Sequence, residues 1–300
     1  MLVTGKDLME KAEAGNYAVG AFNAINMESA QSIFAAAEEE RAPFILQITA
    51  TTLKYTNPEE LVALVKALIE RSTVPVALHL DHGRDYATVL KFLRFGFTSV
   101  MIDGSLQTDG KTARTYEENI EVTRKATEAA HLLGVTVEGE IGRLGQIGVD
   151  ITEEDAALTL PEEAEKFVKD TGVDLVAVGI GTHHGLFKGK PVIRHDRVKE
   201  IAERIKMPLV MHGGTGVADE DVQKAISLGI RKVNIDTEIR VAFIETMKKE
   251  IKKLEEAHQE ADASEGIRKY DIRKILGPSR EAAKEAIASK MKLFGSSGKA

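Results

Sequence analysis

Cysteine and tryptophan are both absent from the 300 residues. Without cysteine there is no disulfide, no thiolate zinc site and no cysteine nucleophile. Long apolar runs are missing too, since no stretch approaches the roughly 18 residues needed to span a bilayer. The opening "MLVTGKDLMEKAEAG" is amphipathic and lacks the apolar core of a secretory signal. Nor is there a basic block to offset the net charge of −7. The longest basic cluster, "KKEIKK" at 248–253, is broken by glutamate and reads as a solvated helix face. These absences exclude a nucleic-acid or membrane partner and lead us to expect a soluble cytoplasmic protein.

What the chain has is 43% apolar residues arranged in a rhythm. Short β-branched runs alternate with longer amphipathic ones. The strand candidates are "YAVGAFNA" (17–24), "PFILQIT" (43–49), "VPVALHL" (74–80), "SVMIDG" (99–104), "VTVEGEI" (135–141), "LVAVGIG" (175–181), "PLVMHG" (208–213) and "KVNID" (232–236). Their near-continuous apolar character fits strands buried on both faces of a parallel sheet. Helical patterns such as 59–72 and 219–229 lie between them. Eight β/α units in this length predict a closed (β/α)8 TIM barrel with extra C-terminal helices. The alternative is an open doubly wound sheet, but no GxGxxG follows the first strand. No linker divides the chain, so residues 1–300 read as a single barrel domain with 241–300 as a helical extension. In that extension, Val241, Ile244, Ile251 and Leu254 form a stripe that reads as packing on the barrel, with a subunit contact as the alternative.

Barrel active sites sit at the C-terminal ends of the strands. Six strands here end in polar residues: "HLDHG", "MIDGS", "EGEIG", "GTHHG", "MHGGTG" and "NIDTE". His82, one of His183 and His184, and His212 converge on that rim. Three neutral imidazoles with an open fourth position make a catalytic zinc site. Because neighbours on a strand point to opposite faces, only one of His183 and His184 can easily share the site. The glycine-rich turn at Gly213–Gly216 and the turn at Asn234–Thr237 follow the seventh and eighth strands, where loops bind phosphate through backbone N–H groups. Metal beside phosphate suggests a phosphorylated carbonyl substrate.

These residues, together with "GAFNAINMESAQ", "VEGEIGRLG", "IGTHHGLFKGKP", "KVNIDTEIR" and "LFGSSGKA", run nearly end to end. The sequence resembles the class II, zinc-dependent ketose-bisphosphate aldolases. The resemblance implies Zn2+ held by His82, His184 and His212, with His183 at the variable position. It implies Asp81 as the acid/base at the C4 hydroxyl and Asn234 beside the enediolate. Gly185, Lys188, Gly213, Gly214, Thr215, Asn234, Asp236 and Thr237 match the phosphate pocket, where the family also holds a monovalent cation (Na+ or K+). Asp103 and Glu140 match carboxylates at an alternative metal position. For the distal end of the substrate, Asn23, Thr49 and Arg280 are the candidates. The family is dimeric or tetrameric, so a homodimer or homotetramer is implied.

Two stretches depart from the family pattern. The loop "GRLGQIGVDITEED" (142–155) lacks the glutamate that exchanges the carbon proton, leaving Asp150, Glu153 or Glu154 as displaced substitutes. After the fourth strand, "GSLQTDGKTARTYEEN" (104–119) is longer than the family's segment, with Leu106 in place of a histidine. The expected activity is reversible cleavage of fructose 1,6-bisphosphate to dihydroxyacetone phosphate and glyceraldehyde 3-phosphate through a metal-stabilised enediolate. The alternatives are a tagatose-1,6-bisphosphate aldolase, a metal-dependent C4 sugar epimerase working by retro-aldol chemistry, and a non-catalytic binding protein.

Overall fold

Every apolar run named above becomes a strand. In the computed structural model, which describes residues 1–141, 158–182, 191–259 and 271–300, eight strands pair in parallel in sequence order. They are β1 (Val19–Asn23), β2 (Phe44–Thr49), β3 (Val76–Gly83), β4 (Ser99–Ile102), β5 (Thr136–Ile141), β6 (Leu175–Val178), β7 (Leu209–Met211) and β8 (Ile230–Ile235). β8 returns to β1, with Ala21 opposite Asn234, and closes the barrel. The open sheet is therefore ruled out.

The helices follow in order: α1 (Gly5–Gly15), α2 (Met27–Glu40), α3 (Pro58–Arg71), α4 (Tyr86–Arg94), α5 (Tyr116–His131), α6 (Pro161–Thr171), α7 (His195–Ile205), α8 (Asp219–Ser227), α9 (Thr237–Gln259) and α10 (Arg273–Leu293). Local sequence starts several of them. Asn26 and Ser29 form a reciprocal cap on α2, and Thr115 and Glu118 do the same on α5.

Strand residues alternate between two apolar environments. Phe22, Phe44, Leu46, Leu78, Val100, Val137, Val176 and Val233 join the core between sheet and helices. Val19, Ala21, Ile45, Ala77, Leu175, Ala177 and Val210 instead form a second cluster inside the barrel, with Leu8, Met9 and Ala12 of α1 packed among them. Helix α1 thus plugs the N-terminal end of the barrel. Above this plug the inward positions turn polar. Asn23, Gln47, His79 and Asp81 fall two or four residues beyond inward apolar residues of their own strands, and Glu138, Glu140, Lys232 and Asn234 stand in register beside the inward Leu175, Ala177, Val210 and Ala21.

α10 lies beside the barrel, packed against α2 and β1, and α9 packs on α10. Ile287, Met291 and Phe294 of this C-terminal segment are fully buried. The stripe on α9 does not pack on the barrel as expected. Val241, Ile244 and Ile251 are 40%, 44% and 39% exposed and Leu254 is half-buried, while α10 holds the place against α2 and β1.

Candidate active site

Strand β3 delivers two site residues from adjacent positions. Alternation would send Asp81 and His82 to opposite faces. The β3–β4 register shifts between Leu80 and Gly83, and His82 adopts a left-handed backbone at φ 51°. Both side chains consequently face the rim, with His82 Nε2 3.9 Å from Asp81 Oδ1. A non-glycine residue with positive φ is strained and clusters at functional sites.

His212, just beyond β7, meets them. Its ring stands edge-on to that of His82 with centroids 5.0 Å apart. One acceptor atom from each of Asp81, His82 and His212 lies within 4.8 Å of the others. His82, Asp103 and Glu140 form a second such group. The structure therefore brings together Asp81, His82, His212, Asp103, Glu140 and Asn234. His183, His184, Gly185 and Lys188 lie outside the described residues, as do Asp150, Glu153 and Glu154.

The charges around His82 are lopsided. Its Nδ1 lies 3.2 Å from Asp103 Oδ2 and 3.7 Å from Glu140 Oε2. Burial pulls the imidazole pKa down, but Asp81, the Asp103 hydrogen bond and Glu140 overcome this and push it up to about 10. Burial pushes the Asp81 carboxyl up, yet the charges of His82, His212 and Lys232 and the Asn23 amide hold it below its ordinary value. Glu140 is driven well above the usual carboxylate range by burial and by Asp103. Asp103 is held low against burial by His82, Ser105 and Arg84.

Do these residues fit a metal? Four buried carboxyl groups (Asp81, Asp103, Glu138 and Glu140) face one buried ammonium, that of Lys232, and the Arg84 guanidinium. Glu140 Oε2 and Asn234 Oδ1 are buried without a hydrogen-bond partner. Buried polar atoms are almost always satisfied, so a cation and its ligands are the natural complement. Imidazole and carboxylate donors without thiolate suit zinc and its borderline neighbours. They fit.

Beneath the rim lies a network that sequence reasoning missed. Glu138 Oε1 accepts a hydrogen bond from His212 Nε2 at 2.8 Å, and its Oε2 accepts from Lys232 Nζ at 2.6 Å. Lys232 Nζ also lies 3.3 Å from His79 Nε2, and His79 Nδ1 reaches Ser99 Oγ at 2.7 Å. His79, Glu138 and Lys232 are completely buried. Burial and the Lys232 charge keep His79 neutral. The Glu138 bond fixes the His212 tautomer with Nδ1 as the lone-pair atom. The signal was present as ionisable residues inside apolar runs, two positions before Asp81, Glu140 and Asn234. Counting by twos finds them.

Asp81 has its own support. Asn23 Nδ2 donates to Asp81 Oδ2 at 2.9 Å, and Gln47 Nε2 donates to Asn23 Oδ1 at 2.8 Å. Asn23, a candidate for the distal end, is thus engaged with Asp81. Thr49 ties the 3-10 turn at Ala50–Lys54, and Arg280 is exposed on α10 beside Gln31. On the opposite side, Gly213 (φ 66°), Gly214, Thr215, Asp236 and Thr237 line the neighbouring ends of β7 and β8. A Cβ at Gly214 would approach Ile235 Cδ1 to 2.9 Å, so the turn lies tight on β8. α9 begins at Thr237 and aims its N-terminus at this rim. Burial, against the pull of Arg240, pushes the Asp236 carboxyl up to about 6.

Comparison with known proteins agrees along the whole chain. The family model for class-II fructose-bisphosphate aldolase matches residues 3–299. A fructose-bisphosphate aldolase from Thermus caldophilus is 45% identical, with all of both chains covered. A sulfofructosephosphate aldolase from Alkalicoccus urumqiensis is 41% identical over 99% of this chain and 98% of its own. Among solved structures, the YdjI aldolase of Escherichia coli K12 superimposes with a TM-score of 0.83, at 32% identity and full coverage of both chains.

Proposed function

The chain belongs to the class-II fructose-bisphosphate aldolase family and is an aldehyde-lyase, and from this premise we propose that it reversibly cleaves fructose 1,6-bisphosphate to dihydroxyacetone phosphate and glyceraldehyde 3-phosphate. The observation that carries the reading is Asp81, a buried carboxylate kept ionised beside two imidazoles.

His82 and His212, with His184 from outside the described residues, would hold Zn2+. Bound there, the metal supplies Lewis-acid polarisation of the ketone and offsets the negative charge that develops when the carbon–carbon bond breaks. Asp81 accepts the proton of the C4 hydroxyl as the C3–C4 bond breaks and its electron pair passes to the C2–C3 fragment. Asn23 and Gln47 hold that carboxylate in place. Asn234, with Nδ2 3.5 Å from Asp81 Oδ1 and 3.2 Å from His212 Nε2, would offer its amide to the enediolate oxygens. The β7–β8 rim would take the C1 phosphate on backbone N–H groups, and a monovalent cation bound there would help to offset the phosphate charge. A homo-oligomer is supported by the exposed α9 stripe.

Zinc-loaded protein should release triose phosphate from fructose 1,6-bisphosphate, and a chelator should abolish that release. Asp81→Ala should lower kcat by about 10²–10⁴-fold with zinc still bound. Absence of triose release from zinc-replete protein overturns the substrate assignment. Release from the tagatose or sulfofructose counterpart alone would redirect it.

A further inference from the structure

Two residues beyond His82 stands Arg84, and the mechanism above has no use for it. Its Nε lies 3.5 Å from Asp103 Oδ2. Its terminal nitrogens, Nη1 and Nη2, make no hydrogen bond to a described residue, and the side chain is 26% exposed. An anchored guanidinium with two free donors beside a catalytic rim is a recogniser of oxyanions.

The segment that departs from the family after β4 is built around this arginine. Leu106 and Ala113 pair as an antiparallel bridge, Gln107 N–H donates to Thr112 O at 2.8 Å, and Arg114 N–H donates to Ser105 O at 2.9 Å. Asp109 accepts hydrogen bonds from the backbone of Lys111 and Thr112 and closes the tip. Arg114 then holds the backbone on both sides, donating from Nη1 to Leu106 O and from Nη2 to Arg84 O at 2.9 Å. At the tip, Gly110 has φ 71°, and a Cβ there would stand 2.1 Å from Arg84 Nη1. The hairpin leaves room for the guanidinium and limits where it can go.

Position supplies the ligand. In a closed barrel of eight strands in sequence order, β3–β4 lies directly across the mouth from β7–β8. A ketose phosphate with its C1 phosphate at β7–β8, lying over His212, Asp81 and His82, would extend its far end toward the β3–β4 side, where Arg84 stands. We propose that Arg84, framed by the 105–114 hairpin, binds a terminal oxyanion, phosphate or sulfonate, on the aldehyde half of the substrate. This assignment rests on the reading of the β7–β8 rim as the C1-phosphate pocket.

The test compares fructose 1,6-bisphosphate, its 6-sulfonate counterpart and fructose 1-phosphate on zinc-loaded wild type, Arg84→Gln, Arg84→Lys and Gly110→Ala. Arg84→Gln should lower the preference for an anion-ended substrate over fructose 1-phosphate by about tenfold or more, mainly through KM. Arg84→Lys should retain part of it, and Gly110→Ala, which displaces the guanidinium without removing its charge, should shift the preference in the same direction. The ratio between phosphate and sulfonate in wild type identifies which oxyanion the site favours. An unchanged preference, or a parallel fall on all three substrates, overturns the proposal. Thermal shift on adding fructose 1,6-bisphosphate or fructose 1-phosphate provides a readout independent of turnover. If wild type cleaves none of the substrates, the aldolase reading of the substrate fails. A bisphosphate-specific shift lost in Arg84→Gln would still support the arginine, and a shift equal in both would reject it.

Discussion

At the scale of single residues, the site stores its cation requirement as a proton. His82 holds a proton at neutral pH because the Asp81 charge and the Asp103 hydrogen bond outweigh its burial, and metal binding needs its lone pair. Zinc uptake should therefore release at least one proton at neutral pH, and zinc affinity should climb about tenfold per pH unit well above the ordinary histidine range. Titration calorimetry in buffers of different ionisation enthalpy measures the release; a value near zero would show that His82 is already neutral. The same raised pKa makes metal-free protein lose stability as pH rises from about 6.5 to 10, since the folded state holds a proton that the unfolded state gives up. Glu138 acts one layer lower. Glu138→Gln still fills the space but no longer balances Lys232, and we expect zinc affinity to fall about 10–100-fold. Competition with a chelator reads this separately from turnover, and unchanged affinity would reduce Glu138 to a packing role.

At the scale of elements, α1 is separable from the chemistry. Leu8 and Met9 pack into the apolar floor of the barrel with Ala21, Ile45, Ala77 and Val210. Leu8→Ala should cost about 2–5 kcal/mol in stability, as large-to-small changes in packed cores do. The kcat of the folded fraction should hold. Denaturant unfolding and kinetics below the melting transition check the pair of outcomes, and a loss of kcat at full stability would couple floor to site. The β3 end behaves differently, because there the chemistry sets the backbone. The bulge that turns His82 inward cannot be relaxed without parting it from Asp81, so strain and function share one residue.

At the scale of the whole molecule, the barrel was legible because its eight strands are buried on both faces and announce themselves as apolar runs. The strand boundaries agree to within two residues except at two ends: β3 continues through Asp81 and His82 to Gly83 where polarity suggested an end, and β6 stops at Val178 although the apolar run goes on to Gly181. His82, His212, Asp81, Asp103 and Glu140 could be placed on one rim from strand endings alone. Two kinds of feature were hidden. The His79–Glu138–Lys232 network lay inside runs that average to apolar, and α9 and α10 compete for one surface that a stripe on either helix cannot assign. The alternation rule also has a limit here, since β3 presents two neighbours to one side. The plug beneath the barrel has a last consequence. With α1 filling the floor, the cavity is a cup rather than a tube, and the two halves of a cleaved sugar must use one doorway. Under the proposed placement of the substrate, the aldehyde half on the β3–β4 side and the dihydroxyacetone phosphate half at the β7–β8 turns would share that exit, so each product would compete with the other, and with fresh substrate, for the same mouth.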